Sequence, residues 1–271
     1  MGERVTAKIF DFFITTKCTL NCKLCAAGVP FIEKPKHTEL EIAFEEMKRF
    51  FEVFDYVDRI EFIGGEPLMH PHIAEIVEEA SKYKQQFGYM RITTNATIVP
   101  GEKLLRALNE SGCRYDFIVD NYGELSVNYH KLIKILDDNN ITYRVDTYYG
   151  EREKQRFGGW IDFGDFTDQK YSEEQLRDNF RHCTAREGNF CCTNNGKVFP
   201  CCYAMTGYLE KKMPFVNDEY IDLFDDSVSL EIKRQRAIAF GEKPLYACRF
   251  CKSFNSEKSK RYCAAEQIER R

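Results

Sequence analysis

The chain has 271 residues, enough for one large α/β domain or for a domain of about 200 residues with an appendage. Its net charge of −4, from 39 basic and 43 acidic residues, gives no whole-protein field that would attract nucleic acid or an anionic membrane surface. We therefore expect neither of these partners, and the charge favours a small-molecule substrate that is neutral or modestly charged.

The amino-terminal stretch and the cysteine content bear on location. The first residues, MGERVTAKIFDFFITT, lack the long apolar core of a signal peptide, and no segment reaches the ~18 apolar residues of a membrane span. We expect a cytoplasmic protein. Because that compartment keeps thiols reduced, the 12 cysteines are expected to be metal ligands, catalytic thiols or buried apolar residues rather than disulfides.

Strand-like and helix-like segments alternate in the first half of the chain. The predicted strands cover residues 7–16, 59–65, 89–95, 115–121 and 141–149, and the predicted helices cover 38–54, 71–86, 101–111 and 126–139. Five βα-like units predict an α/β fold with a parallel sheet, in the form of a partial TIM-like barrel that is open on one side.

The pattern changes after Gly150, which predicts a domain boundary. Residues 1–150 are assigned to the barrel, and residues 151–271 to a linker with a carboxy-terminal extension. In the extension we expect a helix over 172–182 and a β-hairpin that turns at Asn194, Asn195 and Gly196. Beyond Cys251 we expect a helix of mixed acidic and basic residues that runs to the end.

Three cysteines, Cys18, Cys22 and Cys25, follow the first strand in the stretch TTKCTLNCKLCAAG. A zinc site normally closes with four ligands, and no fourth is near, since His37 lies twelve residues beyond Cys25. Three thiolates on one loop are able to hold three irons of a [4Fe–4S] cluster and leave the fourth iron open to another ligand. A structural zinc site and three buried thiols are the other interpretations.

The spacing Cys18-x3-Cys22-x2-Cys25 after a first strand resembles the signature of the radical S-adenosylmethionine (SAM) superfamily. The resemblance implies that the open iron binds SAM, and that reductive cleavage of SAM yields methionine and a 5′-deoxyadenosyl radical that abstracts a substrate hydrogen. It also implies an external electron donor of the flavodoxin or ferredoxin type and anaerobic conditions. The family usually has an aromatic residue before the third cysteine, where this sequence has Leu24.

A second match, FIGGEP, ends the second predicted strand, at the barrel edge where βα loops build active sites. It resembles the GGEP motif of the same family. The resemblance implies a SAM-binding set, to which we add the neighbouring strand end: Gly64, Gly65, Glu66, Pro67, Thr94, Asn95 and Asn121. The catalytic candidates at the ends of strands four and five are Asp120, Asp146 and Tyr148, with Tyr149 beside them, and helix capping or loop hydrogen bonding is their alternative role.

The later cysteines resemble the auxiliary-cluster extension of the SPASM/twitch subgroup, in its shorter twitch form. The resemblance implies an auxiliary [4Fe–4S] cluster held by Cys183, Cys201, Cys248 and Cys251, with zinc as the alternative metal. Adjacent residues on a strand point to opposite faces, so only one member of each cysteine doublet is able to face the cluster. The surplus cysteines, expected to be packing residues or in one case a hydrogen-atom donor, are Cys113, Cys191, Cys192, Cys202 and Cys263.

The layout is closest to that of the twitch-type amino-cyclitol dehydrogenase, in which a substrate radical passes an electron to the auxiliary cluster. We therefore expect a radical SAM oxidoreductase that dehydrogenates a small hydroxylated metabolite such as a sugar or cyclitol. A radical SAM epimerase would use the same clusters with a thiol that returns hydrogen. A peptide-modifying maturase commonly carries a leader-binding domain ahead of the barrel, whereas the first strand here starts near residue 7. A zinc-stabilised binding protein is the alternative outside the enzymes.

Overall fold

The computed structural model describes residues 3–187, 190–252 and 260–269. In this part of the chain one sheet contains eight strands. In chain order they are β1 (Thr6–Thr15), β2 (Tyr56–Gly64), β3 (Phe87–Thr94), β4 (Tyr115–Asn121), β5 (Tyr143–Thr147), β6 (Phe190–Asn194), β7 (Lys197–Phe199) and β8 (Ile221–Asp222). Their order across the sheet is β5-β4-β3-β2-β1-β6-β7-β8.

The α-helices of the described residues separate the strands or pack on the extension. They are α1 (Leu40–Val53), α2 (Ile73–Ser81), α3 (Glu102–Glu110), α4 (Tyr129–Asp138), α5 (Glu173–Arg181), α6 (Thr184–Glu187), α7 (Cys202–Leu209) and α8 (Leu230–Ala239). No helix in these ranges is long and apolar enough to cross a membrane.

The first five strands are parallel neighbours, and a helix separates each from the next. This arrangement confirms the predicted α/β fold with a partial, open TIM-like barrel. Because the strands run in one direction, their carboxyl ends meet at one edge, where the loops that follow them build a site.

Phenylalanine side chains join the first helix to the sheet. Met47, Phe50 and Phe51 recur at helical spacing on α1 and are buried. The centroid of the Phe50 ring lies 3.7 Å from that of Phe10 on β1 and 4.5 Å from that of Phe54. This packing fixes β1 against α1, and β1 in turn carries the loop with the three early cysteines.

The extension continues the barrel sheet. β6 pairs with β1 in parallel, and β7 returns antiparallel to β6, so the predicted hairpin forms. Its turn residues Asn195 and Gly196 have φ values of 52° and 79°, the left-handed pair typical of a type I′ turn. The sheet thus contains strands from both sides of residue 150, and the domain boundary placed there stays a prediction.

The predicted carboxy-terminal helix is wrong for residues 260–269, which form no helix; residues 253–259 and 270–271 lie outside the described ranges. The backbone of this segment is bonded to distant parts of the chain instead. Lys23 N–H donates to Glu266 O at 2.8 Å, and Tyr262 exchanges two hydrogen bonds with Trp160. Tertiary partners therefore take the backbone groups that a helix would have paired internally.

Candidate active site at the carboxyl edge of the sheet

A cavity of about 530 Å³ opens at the carboxyl ends of the barrel strands. It brings together nine of the predicted site residues from the front of the chain: Cys18, Cys22, Cys25, Gly64, Gly65, Thr94, Asn95, Asp120 and Tyr148. Four others do not line it: Glu66, Pro67, Asn121 and Asp146. The cavity therefore joins most of the predicted SAM-binding residues to the three early thiols and to two of the catalytic candidates.

The front cysteine set, Cys18, Cys22 and Cys25, sits on one tight loop. Burial raises the pKa of Cys18 to about 11 and that of Cys22 to about 12, and it also raises the pKa of Cys25. Backbone N–H groups at residues 27–29 oppose the shift at Cys25 by favouring its thiolate. A bound metal would deprotonate such thiols, because the metal cation replaces the proton on sulfur and the proton is released to solvent.

Nitrogen donors from the loop itself and from two distant segments point at the front sulfurs. The Cys18 Sγ accepts from Leu20 N at 3.4 Å and from Asn95 Nδ2 at 3.5 Å, and the Cys22 Sγ accepts from Gln267 Nε2 at 3.1 Å. N–H groups aimed at sulfur stabilise thiolate ligands of an iron–sulfur cluster. The donor set therefore fits a [4Fe–4S] cluster. Among the described residues, no three His, Cys, Asp or Glu side chains lie close enough together to bind a single metal ion. A cluster does not require that arrangement, because each thiolate binds a different iron.

The two glycines of the FIGGEP stretch are required by the cysteine loop. A Cβ on Gly64 would lie 1.9 Å from the carbonyl oxygen of Thr15, and one on Gly65 would lie 2.1 Å from that of Lys17. Gly64 also has a φ of 144°. The glycines let β2 and the loop after β1 approach closely, so that Gly65 N–H donates to Thr15 O at 2.9 Å.

Glu66 ties neighbouring strand ends together beneath the cavity. It is fully buried and accepts hydrogen bonds from Leu68 N at 3.1 Å, Thr94 Oγ1 at 2.9 Å and Asn95 N at 2.8 Å. Burial raises its pKa to about 7, and these three donors oppose the shift. Glu66 thus positions Thr94 and Asn95, which themselves line the cavity.

Asp120 and Tyr148 lie beside an aromatic wall of the cavity. The Tyr122 ring stacks on that of Tyr148 with centroids 5.3 Å apart, and Trp160 meets Tyr122 edge-on at 5.7 Å. Burial raises the pKa of Asp120 to about 7, while a hydrogen bond from Tyr122 Oη at 3.3 Å opposes the shift. A carboxyl group with a pKa near neutrality in a cavity is suited to general base chemistry.

Two other predicted site residues have structural partners instead. Asp146 is ion-paired with Arg156 and with Arg144, whose Nη2 lies 3.0 Å from its Oδ2. Asn121 accepts from the backbone N–H of Gly123 at 2.9 Å. Both arrangements hold the chain after β4 and β5 in place, and neither side chain reaches the cavity.

The sequence analysis missed two acidic residues of the cavity, Asp11 and Glu61. They are partners in register on β1 and β2, and both line the cavity. Burial, followed by the charge of Glu61, raises the pKa of Asp11 well above its usual range. The sequence did contain a signal for these residues, because each apolar run, IFDFFIT and RIEFIGG, includes one acidic residue. A charged side chain inside a buried strand costs free energy, so its presence there indicates a partner or a function.

The rear cysteine set, Cys183, Cys201, Cys248 and Cys251, is also brought together. Cys183, Cys201 and Cys248 line one smaller cavity of about 40 Å³. Burial raises the pKa of Cys201 well above its usual range, and the other three thiols raise it further. Three of the four rear thiols are thus gathered around one small cavity, and Cys201 also lines the large cavity.

The surplus cysteines separate into different environments. Cys202 opens α7, lines the large cavity and lies close enough to Asp11 and Cys25 to raise the pKa of each. Of the doublet at 201–202, Cys201 thus belongs to the rear set and Cys202 to the large cavity. Cys113 is half-buried against the barrel core and Cys263 is exposed. The side chains of the doublet at 191–192 lie outside what the structure describes.

Comparison with known proteins identifies the front of the chain. The family model described as Radical SAM superfamily matches residues 12–145, the segment that contains the front cysteine set and the FIGGEP stretch. These residues form a radical SAM domain. The match accounts for the three thiols on one loop, since the family's implied [4Fe–4S] cluster and SAM would share the large cavity.

Curated relatives of this radical SAM domain are GTP 3′,8-cyclases. The one from Sulfurovum sp. (strain NBC37-1) is 32% identical over 101 residues, covering 36% of this chain and 30% of the relative. The one from Aquifex aeolicus (strain VF5) is 28% identical over 110 residues, covering 40% and 33%. The chain thus spans about a third of the length of the curated relatives it matches.

Solved structures resemble the fold over nearly the whole chain. The crystal structure of BtrN in complex with AdoMet and 2-DOIA has a TM-score of 0.59 at 16% identity, covering 94% of this chain and 97% of that one. The structure of native anSMEcpe with bound AdoMet has a TM-score of 0.53 at 12% identity, covering 91% and 87%. At these identities the likeness concerns the fold alone.

Proposed function

We propose that this chain is a radical SAM oxidoreductase that dehydrogenates a small hydroxylated metabolite such as a sugar or cyclitol. The observation that carries the proposal is the position of Cys201, which lines the large cavity with the front cysteine set and the small cavity with Cys183 and Cys248. A molecule in the large cavity therefore has a short path for an electron to the rear set. The overall likeness to BtrN, whose structure holds AdoMet and 2-DOIA, supports the same layout.

Different residues carry out different steps of the proposed oxidation. When bound, a [4Fe–4S] cluster with an open iron supplies the electron that cleaves SAM to the hydrogen-abstracting radical, and an auxiliary cluster supplies an electron acceptor. Asp120, with its pKa near 7, takes the proton of the substrate hydroxyl. The CH–OH group thus loses one hydrogen atom, one proton and one electron, and becomes a carbonyl. Asn95 and Gln267 orient the front thiols through their N–H groups.

The proposal includes the cellular setting expected from the sequence. Barrel residues 1–150 would carry the front cluster, and residues 151–271 would carry a twitch-type auxiliary cluster. The electron donor would be a flavodoxin or ferredoxin, and the protein would work in the cytoplasm under anaerobic conditions.

The test of this proposal is SAM cleavage by anaerobically reconstituted protein with dithionite. We expect a brown protein with about eight irons that converts SAM to 5′-deoxyadenosine. Replacing Cys18, Cys22 and Cys25 by Ala should abolish this activity, whereas Cys113→Ala, outside both cavities, should retain it. A colourless zinc protein, or 5′-deoxyadenosine formation by the triple variant, would contradict the proposal.

Epimerisation is a second candidate, because Cys202 lines the large cavity. In that reaction a thiol hydrogen returns to the substrate carbon from the face opposite to abstraction. The two reactions differ in D2O, since a thiol exchanges its hydrogen with solvent. A product of unchanged mass apart from one deuterium would indicate epimerisation, and a product two mass units lighter would indicate dehydrogenation.

A nucleoside triphosphate, the substrate class suggested by the GTP 3′,8-cyclases, suits this cavity poorly. Recognition of a triphosphate relies on Arg, Lys or backbone N–H donors. Among the described residues that line the large cavity there is no Lys, Arg or His, while three are carboxylic acids, Asp11, Glu61 and Asp120. The proposal therefore does not include the substrate of these relatives.

A further inference from the structure

A buried glutamate in the extension joins two segments that are far apart in the chain. Glu219 has only 9% of its surface exposed. Its Oε1 accepts a hydrogen bond from Tyr246 N at 2.6 Å, and its Oε2 accepts one from the Tyr208 hydroxyl. Both carboxylate oxygens are therefore used, and each holds a different segment.

The two segments that Glu219 joins carry members of the rear cysteine set. Tyr208 lies on α7, and the residue that caps the start of this helix is Cys201. Tyr246 is the first residue of a short 3₁₀-helix, Tyr246–Arg249, which contains Cys248. The first N–H groups of a helix have no partner inside it, and Glu219 supplies one for Tyr246. Glu219 thus fixes the segment of Cys248 against the helix of Cys201.

A second contact from α7 holds the other end of the same segment. The Tyr203 hydroxyl lies 2.6 Å from Asp165 O and 3.1 Å from Phe250 O, so these two carbonyls share its hydrogen. Phe250 directly precedes Cys251. The stretch with the last two rear cysteines is therefore anchored to α7 before Cys248 and again before Cys251.

The charge of Glu219 also acts on the rear thiols. Its two donors are a hydroxyl and a backbone N–H, both uncharged, and acceptance at both oxygens is the pattern of an ionised carboxylate. Burial raises the pKa of Cys248 to about 12, and the charge of Glu219 adds to the rise. Burial also raises the pKa of Tyr208, followed by its bond to Glu219 and the charge of Cys201. A negative charge thus lies within electrostatic reach of the rear set.

We propose that Glu219 is a positioning residue of the rear site: it fixes Cys248 relative to Cys201, and its charge lowers the reduction potential of the iron–sulfur cluster that the rear set would hold. This inference rests on the proposed auxiliary cluster and adds to it the residue that tunes it. Reduction adds a negative charge to the cluster, and a nearby carboxylate opposes that addition.

The first test is Glu219→Gln, which removes the charge and keeps an oxygen that is able to accept from Tyr246 N. Reconstituted protein should retain about eight irons, and the potential of the rear cluster should rise. We expect a shift of about tenfold or more in the reduction equilibrium, which is about 59 mV for one electron. Redox titration followed by electron paramagnetic resonance measures it, with the front potential unchanged. An unchanged or lowered rear potential, or loss of the rear irons, would overturn the inference.

The second test is Glu219→Ala, which removes both acceptors. Iron should fall from about eight atoms to about four, while the front cluster still converts SAM to 5′-deoxyadenosine. Iron that is lost in the alanine variant and kept in the glutamine variant shows that the hydrogen bonds position the rear set. Retention of all the iron in Glu219→Ala would overturn the inference, and so would loss of SAM cleavage, which would mean that Glu219 supports the whole fold.

The matched control is Glu46→Gln. Glu46 is also buried and also accepts from one hydroxyl, that of Thr193, and one backbone N–H, that of Gly196 at 2.7 Å. It lines neither the large nor the small cavity. Its replacement should lower the melting temperature and leave both cluster potentials unchanged. An equal rise of the rear potential in Glu46→Gln and Glu219→Gln would overturn the inference, because the effect would then not depend on position.

The iron content of the unmodified protein separates this inference from the proposed function. About eight irons, with the same rear potential in Glu219→Gln as in the unmodified protein, would remove the inference and leave the proposed function standing. About four irons, with zinc in the rear set, would remove the auxiliary cluster and overturn both.

Discussion

The front and rear cysteine sets differ in how the chain brings them together. Cys18, Cys22 and Cys25 lie within eight residues of one loop, held by the barrel edge. The rear set comes from three separate places: the residues just after α5, the start of α7 and the segment that contains Cys248 and Cys251. The front set therefore depends on local geometry and close backbone packing, whereas the rear set depends on long-range packing of the extension.

This difference suggests a division of labour. Three ligands on one rigid loop keep their geometry while the fourth iron of the implied cluster stays open, which suits the binding of SAM. In the proposed auxiliary site, four ligands from three segments would enclose the metal completely, which would suit electron transfer. Cys201 lies where the two meet, since it lines both cavities.

The largest expected effects on activity come from replacing one cysteine of the front set or one cysteine of the rear set. Cys22→Ser should abolish 5′-deoxyadenosine formation, because no other thiol on the loop replaces the lost ligand. Cys248→Ser should retain 5′-deoxyadenosine formation but lose the oxidised product, because the electron acceptor is missing. Iron analysis should fall from about eight to about four atoms in each variant. Oxidised product from Cys248→Ser would show that the rear set does not take part.

The same comparison explains what the sequence was able to predict. The front set and its glycines were recognisable because their spacing is local, and the barrel strands were predicted because apolar runs alternate with helical periodicity. The family resemblance assigned Cys201 rather than Cys202 to the rear set, whereas the position of Cys202 in the large cavity required the actual start of α7. The helix predicted for the last residues was wrong because Glu266 and Gln267 bind the front loop, a contact between residues more than 240 apart in the chain.

The next effect concerns the base near the front set. Asp120→Asn should lower formation of oxidised product by about a hundredfold or more, the usual range for a lost general base. In the unmodified protein, product formation should rise with pH and reach half its maximum near pH 7, because burial raises the Asp120 pKa to about 7 and the base acts only when ionised. A rate that falls with pH would contradict this role.

The control for Asp120 is Asp137→Asn, on the exposed face of α4, where the carboxylate accepts from the Tyr143 hydroxyl. This variant should keep the same pH profile. Steady-state product formation over pH 5.5–8.5, with SAM cleavage measured in parallel, separates a lost base from a damaged front cluster; Asp120→Asn should keep SAM cleavage.

Matched glycine substitutions compare the packing of the two regions. Gly64→Ala should cost about 3 kcal/mol or more, because its Cβ would meet the Thr15 carbonyl at 1.9 Å and its φ is 144°. Gly207→Ala, on α7 of the extension, meets side chains instead: the flexible terminal methyl of Met213 at 1.8 Å and the edge of the Phe166 ring at 3.0 Å. The change there should stay within about 1 kcal/mol, since better helix propensity offsets the repacking. Thermal unfolding under anaerobic conditions checks both, and equal losses would contradict the comparison.

The smallest expected effect is a shift in the potential of the front cluster alone. Gln267 Nε2 donates to the Cys22 Sγ at 3.1 Å, and a donor to sulfur favours the reduced, more negative cluster. We take this hydrogen bond to stabilise the reduced cluster by about 1 kcal/mol more than the oxidised cluster. Gln267→Leu removes the bond and should lower the one-electron potential by roughly 40 mV. The matched control is Gln235→Leu on α8, where the side chain donates to Glu231 on the same helix. Redox titration followed by electron paramagnetic resonance should show a changed potential for the front cluster and an unchanged potential for the rear cluster, because Gln267 contacts the front loop. A change in both potentials would mean that the last residues act on the fold rather than on Cys22.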